Sequence, residues 1–349
     1  MKQHLLITLT LFCYSLLSFG QDFTDNGINY TITSATTVKV GTNNVIGVAN
    51  IPSTVNYNSN TYSVTSIGAF SFAIYQGLTA ITIPNSVTTI EDYAFLNCVN
   101  LTTVTLPNSL ISIGANAFNT CTSLISIELP NSITNIGNTA FYNCNSLTSL
   151  TLSNSLVSIG EETFSFCSNL NSVIIPNSVN SIGVAAFKNC YNLNSVSITN
   201  SITNIGDDAF SNCYALTSFT VNWLIPLSVN ANVFAGTYIG GAILNVPAGT
   251  AGLYDAAPVW TDFGTTLGTN SFTNTNFKAY PNPTTGLITI SNSDEIYEAS
   301  VYNMLGQNVF TQKGNGLSLQ IDLSNLEAQT YFVKVTSEGT TKTFKVLKQ

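Results

Sequence analysis

The chain has 349 residues, which predicts two or three domains at about 150 residues each. It carries 17 acidic residues against nine lysines and no arginine, so its formal net charge is −8 and it lacks the clustered cations that bind DNA or RNA phosphates. The single histidine is His4, so the rest of the sequence lacks the commonest general base and metal ligand. We therefore expect no catalytic residues, no metal ligands, no cofactor and no nucleic-acid partner.

Residues 1–20 are predicted to be a secretory signal peptide. A lysine and a histidine precede an apolar run from Leu5 to Phe19, and cleavage is expected just before Gln21. Cys13 lies within this run and does not follow a small residue, which favours this prediction over a lipoprotein signal. The rest of the sequence has no apolar stretch of about 18 residues, so no transmembrane helix is predicted there.

Residues 21–62 are predicted to form an N-terminal cap, because short strand-like segments such as Val38–Val40 occur there. The segment from Asp22 to Gly27, with the sequence DFTDNG, resembles part of a calcium-binding loop. It lacks the remaining ligands of an EF-hand, so we expect a turn at this place and no calcium site.

The central part of the chain is a 23-residue repeat. Six units run from Leu78 to Ala215, and the first reads LTAITIPNSVTTIEDYAFLNCVN. The residue type is invariant in six columns, which are those of Leu78, Asn85, Ser86, Ile90, Phe95 and Cys98. A degenerate unit precedes them, so residues 63–222 are predicted to form a solenoid of stacked coils.

The apolar columns predict the local structure of each coil. Leu78 and Ile81 fit a short strand that ends near a proline, whereas Phe95 and Cys98 have the spacing of a single helical or 3₁₀ turn. A glycine column that begins at Gly114 is expected where the backbone turns through positive φ. One coil alone cannot bury its apolar side chains, so the predicted fold is an α/β solenoid in which neighbouring coils cover one another.

The cysteines of the repeat allow two interpretations. They lie 23 residues apart, at Cys98, Cys121, Cys144, Cys167, Cys190 and Cys213. In a secreted protein six cysteines commonly form three disulfides. All six share one inward column beside an invariant phenylalanine, where a free cysteine packs as a small apolar side chain. We expect buried, unpaired thiols, with disulfides between adjacent coils as the alternative.

Three segments follow the repeats. Residues 223–263 contain both tryptophans and are expected to cap the open apolar end of the solenoid, and residues 264–276 form a linker rich in Thr, Asn and Gly. Residues 277–349 show strand-like alternation, for example from Tyr331 to Val335. They are predicted to form a small all-β, immunoglobulin-like sandwich.

Two sets of motifs resemble known families. The unit LxxIxIPNSVTxIGxxAFxNCxx is similar to the leucine-rich repeats of BspA-like bacterial surface proteins, over about residues 45–222. The C-terminal segment resembles a type A sorting domain of the type IX secretion system of Bacteroidetes. The residues that carry this second resemblance include Pro281, Asn282, Pro283, Leu305, Gly306, Gln307, Lys348 and Gln349.

The resemblance implies how the protein is exported and where it is located. The protein would be exported across the outer membrane by the type IX secretion machinery, and a sortase-like peptidase would remove the sorting domain near the linker. The remaining body would be attached to surface lipopolysaccharide or released. An extracellular or outer-membrane-surface location is therefore expected.

The outward side of the first strand in each coil is the expected ligand-binding surface, because solenoids commonly bind partners on such a sheet. The candidate residues are Thr82, Thr103, Thr105, Ser126, Glu128, Ser149, Thr151, Ser172, Ser195 and Ser197. Serine and threonine also solvate a sheet and form cross-strand pairs without any ligand. A regular threonine array that orders water is interrupted by Glu128 and Ile174.

Acidic residues cluster in the turn that follows the glycine column. Glu161 and Asp207 lie two coils apart, roughly 10 Å at about 4.8 Å per strand, near the carboxylate separation of an inverting glycosidase. These are exposed turn positions without a cleft, which favours a solubilising role or loose Ca²⁺ contact. The sequence therefore predicts adhesion or recognition of an extracellular protein or glycan, without enzymatic activity. A passive surface coat is the main alternative, and a glycan hydrolase is a distant one.

Overall fold

The structure is a computed structural model that describes residues 20–269, 278–304, 306–337 and 340–349. The chain divides into two compact units between Leu267 and Gly268. Apart from residue 20, the predicted signal peptide lies outside the described residues, as do residues 270–276 of the predicted linker. The domain boundaries drawn from the sequence stay predictions.

The first unit begins with six strands, β1 (Asp22–Asp25), β2 (Ile28–Ile32), β3 (Thr37–Val40), β4 (Gly47–Asn50), β5 (Thr54–Tyr57) and β6 (Asn60–Ile67). Strands β1 and β2 pair antiparallel across a turn in which Asn26 and Gly27 have positive φ. The turn expected within DFTDNG is therefore confirmed as a hairpin. Strand β3 then pairs parallel with β6, which in turn pairs parallel with the first coil of the repeat.

Each coil of the repeat contributes two short strands to the solenoid. They are β7 (Leu78–Thr82), β8 (Thr89–Ile90), β9 (Thr103–Thr105), β10 (Ser112–Ile113), β11 (Ser126–Glu128), β12 (Asn135–Ile136), β13 (Ser149–Thr151), β14 (Ser158–Ile159), β15 (Ser172–Ile174), β16 (Ser181–Ile182), β17 (Ser195–Ser197), β18 (Asn204–Ile205) and β19 (Ser218–Thr220). Paired residues are 23 apart, as in Ile113 with Ile136 and Ser126 with Ser149. The repeat length of the sequence is therefore the spacing of one coil.

The strands form two parallel sheets along the solenoid. The first sheet contains three hydrogen-bonded ladders, β4–β7–β9, β11–β13 and β15–β17–β19, and the last of these continues into β20 (Ile243–Pro247) and β21 (Thr265–Thr269). The second sheet extends from β6 through β8, β10 and β12, and a further ladder joins β14, β16 and β18. Between these sheets lies one continuous apolar core. The solenoid prediction is therefore confirmed.

The helical component of the predicted α/β fold is not confirmed. The described residues contain one short helix, α1 (Ala251–Tyr254), and 3₁₀ helices at Ala231–Phe234, Ile239–Gly241 and Trp260–Asp262, all of them after the repeats. In the first coil the Cys98 N–H donates to the Phe95 carbonyl at 3.2 Å, but the Phe95 N–H donates to Ala117 of the next coil at 2.7 Å. The turn residues thus form backbone hydrogen bonds with the next coil and do not form a helix, so the fold is a β-solenoid.

Phenylalanine rings form a continuous stack along the core. The rings of Phe72, Phe95, Phe118, Phe141, Phe164, Phe187 and Phe210 follow one another at centroid distances of 4.9 to 5.5 Å and interplanar angles of 13° or less. Each of these side chains is fully buried. A coil therefore covers its phenylalanine only through its neighbours, which makes the stability of each coil depend on the adjacent ones.

The glycine column does not adopt the positive φ that we expected. Positive φ occurs instead in the columns of Tyr93 and Asn97, whereas Gly114 and its equivalents are absent from the residues with positive φ. These glycines lie against the preceding coil: a Cβ atom added at Gly183 would be 2.6 Å from the carbonyl carbon of Gly160. Glycine is required here because two backbones approach closely.

Replacing Gly183 by alanine is expected to lower the free energy of unfolding by about 1–3 kcal/mol, since the added methyl group forces two packed coils apart. Gly252 in α1 provides the matched control, because an added Cβ there has no atom within 4 Å. Urea denaturation of Gly183→Ala, Gly252→Ala and the unchanged chain measures both effects. Equal midpoints for the two variants would contradict the assignment of the glycine column to close packing.

Glu91 occupies the glycine column in the first coil and connects that coil to the N-terminal strands. Its carboxylate lies 3.0 Å from the ammonium group of Lys39 and accepts hydrogen bonds from the Ser66 hydroxyl and the Ala69 N–H. The departure from the repeat thus coincides with the boundary between the coils and the strands that precede them.

The end of the solenoid is covered by aromatic side chains. Trp260 is fully buried with its ring centroid 6.1 Å from that of Phe219, and Trp223 is 7% exposed. The polar groups of these aromatic side chains also have hydrogen-bond partners. The Trp260 indole N–H donates to the Leu227 carbonyl at 2.7 Å, and the Tyr254 hydroxyl donates to the Trp223 carbonyl. This segment shields the last coil from water.

The second unit is a single antiparallel sheet. Its strands are β22 (Lys278–Tyr280), β23 (Leu287–Tyr302), β24 (Asn308–Asp322), β25 (Thr330–Ser337) and β26 (Thr340–Leu347). The order is β22–β23–β25–β26, with β24 paired to β23, and one face buries a separate core that includes Ile290, Val301 and Val333. The predicted immunoglobulin-like sandwich is not confirmed, because all five strands belong to this one sheet.

Candidate functional site

The outward surface of the first sheet, which we call the strand face, holds all ten candidate ligand-binding residues. Their register is direct, with Glu128 beside Thr151 and Ser172 beside Ser195. The side chains of Ser195 and Ser197 are half-buried, and the other eight residues are exposed. Each three-residue strand turns its middle residue towards the core, where it is buried in β11, β15, β17 and β19 and half-buried in β9 and β13, so the pleat projects the two flanking side chains outward.

A groove of about 440 Å³ lies at the end of the strand face where the strands meet the prolines. It is lined by Asn108, Glu128, Leu129, Pro130, Asn131, Leu150, Thr151, Leu152, Asn154, Ser172, Ile174 and Pro176. A second groove of about 400 Å³ adjoins it and shares Asn108, Glu128 and Pro130. These volumes are within the range that binds small molecules or single sugar units.

The hydroxyl groups of the strand face are free to bind a ligand. Among the ten candidates and within the described residues, only Thr103 has a side-chain hydrogen bond, a 3.5 Å contact with Thr102. By contrast, Thr102 and Thr148, which lie one position outside these columns, donate to the backbone of the preceding coil at 3.0 and 3.2 Å. Within the described residues these hydroxyls therefore do not form the cross-strand hydrogen bonds that the sequence offered as an alternative to ligand binding.

Glu128 and Ile174 contribute a charged and an apolar side chain to the groove. Glu128 is the single charged residue among the ten candidates and has no ion pair within the described chain. The apolar side chain of Ile174 is 73% exposed. The groove thus combines hydroxyls and amides with one carboxylate and one apolar contact surface.

Three asparagines that line the groove were not among the site residues predicted from the sequence. Asn108, Asn131 and Asn154 belong to the invariant asparagine column, and the Asn131 side-chain oxygen accepts the Asn154 N–H at 2.9 Å. An invariant column is dictated by coil stacking, so it conceals any additional contribution to binding. Asn108 and Asn131 directly follow the prolines that end the strands, whereas Asn154 follows a serine, and all three asparagines are exposed.

The acidic turn residues lie apart from the groove. Asp92 accepts the Ala115 N–H at 2.7 Å, Asp208 lies 2.8 Å from the ammonium group of Lys188, and Glu161 and Asp207 are exposed. None of these four lines the strand-face grooves. Within the described residues no group of three or more His, Cys, Asp or Glu side chains is arranged to hold a metal ion.

The six repeat cysteines are buried and unpaired, as we expected. Each thiol donates to the phenylalanine carbonyl 26 residues earlier, from 3.0 Å for Cys98 to 3.4 Å for Cys213. Burial disfavours the thiolate and raises the pKa of Cys98, Cys144 and Cys213 to about 12, and that of the other three well above the ordinary value. These thiols are structural groups, not nucleophiles.

The structure brings together part of the predicted sorting motif. Pro281, Asn282 and Pro283 lie beside the C-terminal residues Lys348 and Gln349, and the Gln349 N–H donates to Thr284 at 2.9 Å. Gly306 and Gln307 belong to a different turn, between β23 and β24, where the Gln307 N–H donates to the Asn303 side chain. Leu305 lies outside the described residues.

Comparison with known families supports both units. Residues 50–152 and 134–245 match the BspA type leucine rich repeat region, in six copies, and residues 278–349 match the secretion system C-terminal sorting domain. No curated protein matches the sequence. No helix among the described residues has the length and apolar character needed to cross a membrane.

Several solved structures are similar to the chain. A leucine rich repeat protein of T. pallidum (TpLRR) is 28% identical, with a TM-score of 0.51 over 56% of this chain and 91% of that one. A leucine-rich repeat protein of Bacteroides ovatus is 22% identical, with a TM-score of 0.38 over 72% and 100%. The pneumococcal vaccine antigen PcpA is 17% identical, with a TM-score of 0.43 over 72% and 99%.

The sorting domain identifies a protein that the type IX secretion system handles and that is secreted to the cell surface or the extracellular space. The matched repeats span residues 50–245, more than half of the chain. The chain therefore belongs to the family of BspA-type leucine-rich-repeat proteins.

Proposed function

We propose that the protein is an adhesion or recognition protein that binds an extracellular protein or glycan on its strand face. The observation that carries this proposal is the groove beside Glu128, where exposed hydroxyls have no partner in the described chain. Repeat families of this kind are generally not enzymes, and the acidic pair Glu161 and Asp207 lies outside the groove. After export, a sortase-like peptidase would remove the tail and the body would be anchored to lipopolysaccharide or released.

The charge distribution restricts the chemical class of the ligand. The described body carries two lysines, Lys39 and Lys188, and each is paired with a carboxylate. A strongly anionic ligand would therefore meet an acidic surface without compensating cations. Uncharged glycans and neutral or basic protein segments fit the groove better.

Glu128→Gln is expected to weaken binding about tenfold or more, because a hydrogen bond to a charged group contributes about 1.5–3 kcal/mol. Glu161→Gln, the same change at an exposed carboxylate outside the groove, should leave affinity unchanged. A glycan and extracellular-matrix array first identifies the ligand, and titration of the two variants then measures the affinities.

A second pair of variants tests whether a long side chain that fills the groove prevents ligand binding. Thr151→Lys places a long side chain in the groove, whereas Asn204→Lys places one on the second sheet. We expect only Thr151→Lys to abolish binding. Binding that survives both Glu128→Gln and Thr151→Lys would contradict the site, and the lack of saturable binding to any array component would favour the passive-coat alternative.

A further inference from the structure

The N-terminal end of the solenoid is covered on one side only. Strands β1, β2 and β3 extend the second sheet beyond its first coil, through the pairing of β3 with β6. The first sheet has no such extension, because it begins with β4, which pairs with β7. Among the described residues no strand pairs with the other side of β4. The first sheet therefore begins with an open strand edge.

The backbone of β4 offers hydrogen-bonding groups at this edge. At the two ends of the strand the N–H groups of Gly47 and Ile51 donate to the neighbouring coil, at 2.8 and 3.1 Å. Because successive residues of a strand direct their backbone groups to alternate sides, the N–H and C=O groups of Val48 and Asn50 point away from β7. Both residues are exposed. Two donors and two acceptors are thus available to a further strand.

Four large apolar side chains are exposed at the same end of the solenoid, and we call them the N-terminal patch. They are Ile46, Val48, Phe70 and Ile74, which are 84%, 60%, 49% and 68% exposed. Residues 43–47 and 71–77 run side by side, with backbone hydrogen bonds at both ends of the contact. The patch therefore adjoins the open edge of β4.

Two residues of the patch have a strained backbone. Phe70 and Ile74 have φ values of 57° and 65°, in the left-handed region that bulky and β-branched residues rarely adopt. In four of the six later coils the column of Ile74 contains asparagine, which tolerates this conformation. The coil geometry thus does not require isoleucine, and a side chain that is 68% exposed contributes little to the core. Strained residues of this kind indicate a functional surface.

The lack of charge at this end favours a second copy of the chain as its partner. The sequence has no charged residue between Lys39 and Glu91, the segment that includes β4 and the whole patch. Since the formal net charge of the chain is −8, two copies repel one another least where they meet through uncharged surfaces. Natural strand edges are commonly protected by a lysine or another charge, and β4 has none. A second copy supplies the matching surface, an uncharged strand edge flanked by apolar side chains.

We propose that two copies of the protein associate through β4 and the N-terminal patch. A two-fold axis at Ala49 places Val48 opposite Asn50 of the second copy, so the two strands pair antiparallel and exchange four backbone hydrogen bonds. The same rotation brings the apolar side chains of the two patches together. Both copies use the same surface, so assembly ends at the dimer. This association is independent of the ligand-binding role proposed for the strand face.

Analytical ultracentrifugation of the chain without its predicted signal peptide, over a range of concentrations, tests the association. The unchanged chain is expected to form dimers as its concentration rises. Val48→Lys introduces two like charges into the apolar contact and should weaken the dimer about tenfold or more. Val157→Lys, the same change at a 50% exposed valine beside β14, is the control and should dimerise like the unchanged chain. Monomers at every concentration, dimers that Val48→Lys leaves unaffected, or polymers larger than the dimer would each overturn the proposal.

Ile74→Asn separates association from folding. Asparagine tolerates the positive φ, so this variant should raise the melting temperature measured at concentrations where the chain is monomeric. It also removes an apolar side chain from the contact and should weaken the dimer about tenfold. A purely structural role of Ile74 predicts the reverse, a lower melting temperature with unchanged dimerisation, and that result would overturn the role of the patch.

A double variant tests the antiparallel register. Val48→Cys combined with Asn50→Cys places cysteines directly opposite each other in the paired strands, with Cα atoms about 5.5 Å apart, which a disulfide can span. Mild oxidation should therefore link two chains covalently. In either single variant the two cysteines are two residues out of register, beyond the limit of about 7 Å, and the chains should stay unlinked. Failure of the double variant to link, or equal linking of a single variant, would overturn the proposed pairing.

Discussion

Above pH 9 the free energy of unfolding of the full chain is expected to fall steeply, by up to about 8 kcal/mol per pH unit. The cause is the column of six buried thiols. Burial raises the pKa of Cys98 to about 12, and the pKa values of the other five are raised as well. Few structural features of a neutral-pH protein would produce so strong a response to alkali.

The sign follows from proton binding in the two states. In the unfolded chain the thiols lose their protons near the ordinary pKa of 9.0, whereas burial raises the pKa of Cys98, Cys144 and Cys213 to about 12 in the folded chain and the pKa of the other three well above 9.0. Above pH 9 the unfolded state therefore binds up to six fewer protons, and each missing proton contributes about 1.36 kcal/mol per pH unit. The stabilisation is fully present below pH 9 and is lost as the pH rises towards 12. Since domains have about 5–15 kcal/mol of stability, unfolding is expected before pH 12.

Urea denaturation in the presence of a reductant, at intervals from pH 7.5 to 10, measures this slope. Cys144→Ala should remove one sixth of the slope, whatever it does to stability at neutral pH. Phe141→Leu is the control, because it disturbs the same core without removing a titratable group and should leave the slope unchanged. Thiol titration of the chain without its predicted signal peptide, which contains Cys13, should find six reactive groups after unfolding and few before. A stability that stays constant from pH 8 to 10 would contradict this account.

The interior of the solenoid was predictable because stacking imposes the same residue type on every coil. Leu78, Ile81, Phe95 and Cys98 were assigned to the core from their columns, and all four are buried. The local backbone was less predictable. The spacing of Phe95 and Cys98 fits a helical turn, but the same spacing arises when alternate N–H groups in the turn donate to the next coil, as the Phe95 N–H does.

The role of the glycine column was also not predictable from the sequence alone. A recurrent glycine indicates either positive φ or close backbone approach, and a sequence does not distinguish the two. In the structure Gly183 lies against Gly160, whereas positive φ falls on the half-buried Glu162 and the buried Ala185. Which residues carry the strained conformation depends on the packing of neighbouring coils, and this packing is a property of the assembled solenoid.

Two features of the surfaces depended on tertiary structure in the same way. The alternation of β25 identified its buried face correctly, with Tyr331 and Val333 inward, but not whether that face would be covered by a second sheet or, as in the structure, by other strands of the same sheet. On the strand face, alternation placed Glu128 and Thr151 outward. The contribution of Asn131 and Ile174 to one groove required the register between coils.

Removal of residues 278–349 is expected to abolish export and leave the body of the protein in the periplasm. The deleted residues are the whole segment that matches the secretion system C-terminal sorting domain, and they form a compact unit with its own core. Because the apolar core of the solenoid is built from residues before 268, the truncated body should remain folded.

Fractionation of cells that express the truncated and the full-length protein measures the distribution between periplasm, cell surface and medium. Protease resistance of the periplasmic material checks that the body is folded. Asn308→Ala in the full-length chain is the control, since it changes one exposed side chain of the tail and leaves the rest of the matched segment in place. Periplasmic retention of a folded body would indicate that, beyond the predicted signal peptide, the solenoid has no export signal of its own. Unchanged amounts of truncated protein at the surface and in the medium would contradict the role of the tail.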